Sequence, residues 1–143
     1  IKVIFELNDE SEVATETMHA VASLGRFYML DNSAFYVYRI SCCDIFKAHE
    51  KDGALYFVEV VSRGGHSTYR VKLPIGATHE DFMQRWGELQ RLGCSFEGTG
   101  NNSRRLYAVD VPPEADVVAV YNYLQENEDS GFWEFEEAHY SGS

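Results

Sequence analysis

Between Ser67 and Tyr140 the spacing of apolar residues changes period in the order strand, helix, strand, strand, helix, strand. That order is the ferredoxin-like split βαβ unit, and it lays out half the chain in one step. Thr68 to Leu73 alternates aromatic or β-branched residues with charged ones, as a half-buried strand does. Pro74 and Gly76 break it. Thr78 and Asp81 then form a capping-box-like start with Asp in place of the usual Glu or Gln. Phe82, Trp86 and Leu89 follow at helical spacing, Met83 and Leu92 widen the face, and Gly93 suits the residue after the helix. Cys94–Glu97 and Arg105–Asp110 read as two strands, joined by a loop containing Gly98, Gly100, Asn101 and Asn102. Pro112-Pro113 suits a helix's first turn, and Val117, Val120, Tyr121 and Leu124 continue the helix to Asp129-Ser130-Gly131. Phe132–Glu136 resumes strand alternation, with its register left open.

The first half differs in kind. Lys2–Leu7 alternates as a strand, and Val13, Thr17, Ala20, Val21 and Leu24 fall on one helical stripe closed by Gly25. Short strands are expected at Phe27–Leu30, Phe35–Ile40, Asp44–His49 and Leu55–Ser62. Asp52-Gly53 marks a type I′ hairpin turn, and Gly64-Gly65 turns the chain toward Thr68. The expected fold is therefore α+β: an N-terminal curled antiparallel β unit with one helix (1–65), fused to a C-terminal ferredoxin-like βαββαβ unit (66–143). At 143 residues, 45% of them hydrophobic, the two can share one core.

Charge narrows the function classes. The chain carries a net −11, and from Leu106 onward it has nine acids and no Lys or Arg. Such a field repels phosphate backbones, which disfavours nucleic acid as a partner, and speeds encounter with basic proteins. Trp133, Tyr121, Tyr123 and Tyr140 lie among these acids, so a docking patch of Glu126, Glu128, Asp129, Trp133, Glu134, Glu136 and Glu137 is expected. A solvated acidic face kept for solubility explains the same charges.

No nucleophile elbow, phosphate loop or dinucleotide fingerprint is present, and no catalytic residue, cofactor or metal is assigned. The five histidines are scattered, and Cys42, Cys43 and Cys94 follow no metal-ligand spacing. Cys42 and Cys43, taken as strand neighbours, would face opposite ways. An odd cysteine count without a secretory-signal pattern leads to an expectation of a reducing, cytoplasmic setting, and no run approaches a membrane span. The run from Ser62 to Arg70 offers a candidate anion site: Arg63, Gly64, Gly65, Ser67 and Arg70, the Gly-Gly backbone supplying N–H donors. Its plainer reading is a hairpin turn whose arginines pair with carboxylates. Were the chain an enzyme, Glu16, Asp44 and Arg70 would be the residues to mutate first.

Glu16–Ala20, Leu30–Phe35, Cys43–Ala48 and Gly65–Arg70 succeed one another at distances that resemble the bacterial domain-of-unknown-function family 4265. Val109-Asp110-Val111-Pro112 continues the resemblance into the second half. The family pattern would place Trp at Met18 or His19, Pro at Ala34 and Gly at Cys43, and would include Asn32 and Asp44. It implies a bacterial source and no established reaction. Two functions fit. The first is an acidic immunity-type protein that neutralises a cognate protein toxin by covering a basic, nucleotide- or nucleic-acid-directed active site. The second is a module that binds or senses a small anionic ligand.

Overall fold

Alternation turns Val3 and Phe5 of Lys2–Glu6 (β1) inward. The structure, a computed structural model, describes residues 1–7, 14–100 and 104–142. β1 runs antiparallel to Thr15–Ala22 (β2), and Phe27–Leu30 (β3), Ile45–Lys51 (β4) and Ala54–Ser62 (β5) follow, each antiparallel to its predecessor. A parallel pairing of β1 with β5, Val3 opposite Leu55 and Ile4 opposite Tyr56, closes the five strands into a barrel. Val3, Phe5, Met18, Ala20, Leu30 and Phe46 fill it, and Phe57 stacks on Phe5 at 4.7 Å. Asp52 and Gly53 join β4 to β5 with φ of 53° and 81°, the left-handed pair the hairpin turn requires.

The helix expected along Thr17–Leu24 is strand β2, so both helices lie in the second half; Val13 falls outside the described residues. Glu16, Met18 and Ala20 carry a period-2 signal that faces the barrel interior, whereas Leu24, on the supposed helical stripe, is 88% exposed. Pairing with β1 on one side and β3 on the other overrides the weak helical periodicity. Phe35–Ile40 is likewise not a strand. It belongs to a long irregular connection from residue 31 to residue 44, between β3 and β4. Cys42 and Cys43 sit in a turn at its end, both half-buried, not on opposite faces of a strand.

The second half runs Ser67–Lys72 (β6), His79–Arg91 (α1), Ser95–Gly100 (β7), Arg105–Val111 (β8), Val117–Asp129 (α2) and Glu134–His139 (β9). Its four strands form an antiparallel sheet in the order β7-β8-β6-β9. Thr78 caps α1 through the expected box, its Oγ1 accepting from the Asp81 N–H at 3.2 Å while Asp81 accepts from the Thr78 N–H at 2.8 Å. α2 starts later than Pro112-Pro113 implies, because Asp116 is its N-cap, accepting from the Ala119 N–H. Gly98 and Gly100 are part of β7, not of a loop, and Asn101 and Asn102 lie outside the described residues.

Tyr69, Val71, Tyr107 and Val109 face the helices and pack with Phe82, Trp86, Leu89, Val120, Leu124 and Trp133. Strand alternation turns Thr68 and Arg70 to the other face. There both reach the 31–44 connection, which lies between sheet and barrel. The described residues form a mixed α+β fold with two helices and two sheets. Among the described residues no helix is long and apolar enough to cross a membrane, and no group of three or more His, Cys, Asp or Glu is placed to hold a metal ion.

Candidate functional site

The 31–44 connection has no ladder to satisfy its backbone, so side chains from distant elements do it. The Glu16 carboxylate, on β2, accepts from the N–H groups of Phe35, Tyr36 and Val37 at 2.8, 3.1 and 3.0 Å. From the opposite side the Arg70 guanidinium, 2% exposed, donates to the carbonyls of Ala34 (3.2 Å), Val37 (2.8 Å) and Tyr36 (3.4 Å). Glu97 on β7 accepts from the Ser33 N–H and the Asn32 amide, and Asn32 accepts in turn from the His19 N–H. Fully buried Asp44 accepts from the N–H groups of Ser41 and Gly64 and from Arg63, each at 2.9 Å. Behind it Ser41 Oγ lies 2.6 Å from Thr68 Oγ1 and 2.7 Å from His139 Nδ1. Burial, reinforced by the Arg63 charge, pushes the His139 pKa down, so this ring is neutral near pH 7.

These charged side chains, with Arg63 donating to the Arg39 carbonyl at 2.7 Å, hold one loop in a single shape, and the loop presents Tyr36 and Tyr38, 38% and 45% exposed, to solvent. They flank a groove of about 1070 Å³ whose walls come from β1, β5 and the end of β9. Val58 and Tyr140 add apolar surface, Glu6, Glu59 and Glu137 add negative charge, and Arg39 and Arg63 are the cations on its lining. Arg63 is already paired with Asp44. Tyr38 donates to Glu136 at 2.7 Å and lies under the Arg70 guanidinium at 4.4 Å, which holds the ring in place. The hydrogen bond to Glu136, then burial, raises the Tyr38 pKa. Glu16, Asp44 and Arg70 converge on the loop and hydrogen-bond to its backbone, and none of the three lies on the lining of this groove.

The residues expected to dock a partner are not brought together as one patch. Trp133 is 2% exposed, its indole N–H donating to the Leu124 carbonyl at 3.0 Å inside the helix–sheet core, so it cannot anchor anything at the surface. An aromatic four residues past the end of α2 was legible as core or as anchor, and packing against Phe82 and Phe132 decides for core. Glu128, Glu134 and Glu136 line a separate pocket of about 320 Å³ with Arg70 and Lys72, whereas Glu137 lines the groove and accepts from Tyr69. Asp129 takes a hydrogen bond from Gln125, and Glu126 is exposed on α2.

The candidate anion site is filled from within. Arg63 and the Gly64 N–H hold Asp44, Arg70 holds Glu136 and three carbonyls, and Ser67, 1% exposed, donates to Ser141. Gly65, at φ 89°, serves as a turn residue against Pro113. The plainer reading of that run holds for its arginines, which pair with carboxylates, but the turn is not a hairpin, because β5 and β6 belong to different sheets. Tyr36, Tyr38 and Arg39 carried no functional signal in the sequence, since their run reads as a strand and nothing local marks it as a loop held from afar.

A family model described as a domain of unknown function, DUF4265, matches residues 16–135. The chain belongs to that family. The DUF4265 span opens on Glu16 and contains Asp44, Arg63, Arg70 and Glu97, the charged residues that bind the loop's backbone. A crystal structure of a hypothetical protein from Neisseria gonorrhoeae resembles this DUF4265 chain with a TM-score of 0.78 at 14% identity, over 96% of this chain and 93% of that one. The likeness is one of fold alone. No curated protein matches the sequence.

Proposed function

We propose that this chain is a cytoplasmic protein-binding module of the immunity type, which neutralises a cognate toxin by seating a Lys- or Arg-bearing segment of it in the groove beside Tyr36 and Tyr38. The observation that carries this reading is the loop between β3 and β4. Its shape is set by Glu16, Arg70, Glu97 and Asp44, so its exposed tyrosines lose little freedom on binding. Tyrosine faces and carboxylates together suit a cation, through ring quadrupole and charge. Glu6, Glu59 and Glu137 supply the local charge, and the net −11 supplies the long-range pull. This relocates the interface from the acidic stretch around Trp133 to a site of which Glu137 is a part. The strand order β7-β8-β6-β9 with its two helices supports a ferredoxin-like C-terminal unit, a frame that presents surfaces on many unrelated proteins.

An anionic small molecule is the weaker reading, because it would have to displace buried Asp44 from Arg63 and Gly64. The test starts from the product of the neighbouring gene, co-expressed with this chain. Co-purification is expected. In the complex, Glu6→Lys with Glu59→Lys slows association at low salt about tenfold or more, and Tyr36→Ala speeds dissociation. Failure to co-purify, or association rates indifferent to charge reversal at low salt, sinks the proposal. A thermal shift with nucleotides or amino acids in place of a protein partner would favour the small-ligand reading.

A further inference from the structure

The loop ends in a turn, Ser41-Cys42-Cys43-Asp44, closed by the Asp44 N–H on the Ser41 carbonyl at 3.1 Å. Its third residue, Cys43, has φ +73°, a left-handed conformation that a turn of this kind reserves for glycine or asparagine. The conformation is enforced from several sides. The Cys43 N–H donates to the Leu30 carbonyl at 2.8 Å, Leu30 N–H donates back to the Asp44 carbonyl at 2.9 Å, and Asp44 is clamped by Gly64 and Arg63. Gly64 gives Cys43 its room: a Cβ there would come within 2.6 Å of the Cys43 carbonyl oxygen and 2.8 Å of its Cβ. A strained residue that its surroundings hold in place calls for an account of what its side chain does.

The strain has one geometric product. Neighbours on an extended strand point apart, but the positive φ swings the two thiols to the same side, with Sγ to Sγ at 3.5 Å and both residues half-exposed. A direct disulfide fits this badly: it needs sulfurs at about 2.05 Å and Cα atoms usually farther apart than the ~3.8 Å of chain neighbours. A single atom bonded to both sulfurs fits well. With bonds of about 2.3 Å, as zinc thiolates have, a 3.5 Å separation closes an S–X–S angle of roughly 100°.

We propose that Cys42 and Cys43 form a dithiol site for a thiophilic centre with two exchangeable positions, trivalent arsenic being the class it suits best. An arsenoso compound, R–As=O, reacts with both thiols: two As–S bonds form, the As=O bond is lost, and the two thiol protons leave with its oxygen as one water. Arsenic stays trivalent and no oxidant is needed. Burial and the neighbouring Cys43 push the Cys42 thiol up to about 12, so it keeps its proton at neutral pH. That disfavours alkylation of Cys42 as a thiolate and leaves the proton for the departing water. Cys94, buried and apart from this turn in the helix–sheet core, is the internal control.

The experiment titrates the reduced full-length chain with phenylarsine oxide and weighs the product by native mass spectrometry. One equivalent adds with loss of one water, two of the three thiols become unreactive to a disulfide reagent after denaturation, and excess ethanedithiol reverses it. Cys94→Ser behaves as the wild type. Cys42→Ser and Cys43→Ser each hold the arsenical at least about 100-fold more weakly, since a second bond to the same atom is lost. Should a serine variant fold poorly, the wild-type and Cys94→Ser chains still decide by their stoichiometry. Uptake of two equivalents, an adduct mapped to Cys94, equal retention by a folded single-thiol variant, or no adduct overturns the proposal.

Discussion

Replacing Arg70 by Met tests whether the loop is held by its buried guanidinium or merely decorated by it. The side chain is 1% exposed, so its charge has left water and depends on its partners. Met keeps most of the aliphatic length and removes every donor. Glu136, 49% exposed, regains solvent, so its half of the ion pair is worth little. The carbonyls of Ala34 and Val37 have no such recourse, and each loses a bond to a charged donor worth about 1.5–3 kcal/mol. The longer bond to Tyr36 at 3.4 Å adds little. Allowing for the apolar contact Met gains, R70M is expected to destabilise by about 3–5 kcal/mol, or roughly 10–15 °C in Tm for a chain of this size. Urea unfolding at pH 7.5 followed by far-UV circular dichroism measures it, with a comparison to E136Q. The glutamine should cost less than about 1 kcal/mol. If R70M loses less than 1 kcal/mol (about one surface ion pair), or if E136Q costs as much as R70M, the carbonyl clamp is not what orders the loop.

Two glycines make a matched pair. G64A drives a Cβ into the Cys43 backbone and should cost about 2 kcal/mol or more, whereas G87A, a helix position with open space around it, should stabilise by about 0.5–1 kcal/mol; urea midpoints at constant m decide both. T78A removes the α1 capping box and is expected to cost about 0.5–2 kcal/mol, read from the same curves. The folded-state pKa of His139 lies below its unfolded value, so the unfolded chain binds the extra proton first. Its contribution to stability is therefore intact above the unfolded value near pH 6.5 and is lost as pH falls below it. Unfolding curves from pH 7.5 to 5 should show H139Q with a shallower decline than the wild type, and identical slopes would exclude this histidine.

How far the sequence could be read depends on which interactions make each element. Phe82, Trp86 and Leu89, the Thr78–Asp81 cap and the Asp52-Gly53 turn are local: residues within a few positions of one another set them, and all stand as expected. The Thr17–Leu24 stripe misled because a weak 3.6-residue pattern coexisted with the 2-residue pattern of Glu16, Met18 and Ala20, and only the flanking strands could arbitrate. Phe35–Ile40 misled for a different reason. Its apolar residues fit a strand, but its backbone is satisfied by Glu16 and Arg70, 19 and more positions away. Of the expected anion site only Arg63 and Gly64 hold one common carboxylate, that of Asp44, and no spacing rule shows that Asp44 will fold onto Gly64.

The sequence by itself determined the order of elements in the second half, the cap and turn chemistry, the resemblance to its family and the excess of negative charge, since each is a property of near neighbours or of totals. Tertiary structure alone decided where that charge matters, because surface and core are assigned by packing: it sealed Trp133 beneath Leu124, placed Glu128, Glu134 and Glu136 on one pocket and Glu137 on another, and bound an irregular loop with carboxylates and a guanidinium from four different places in the chain.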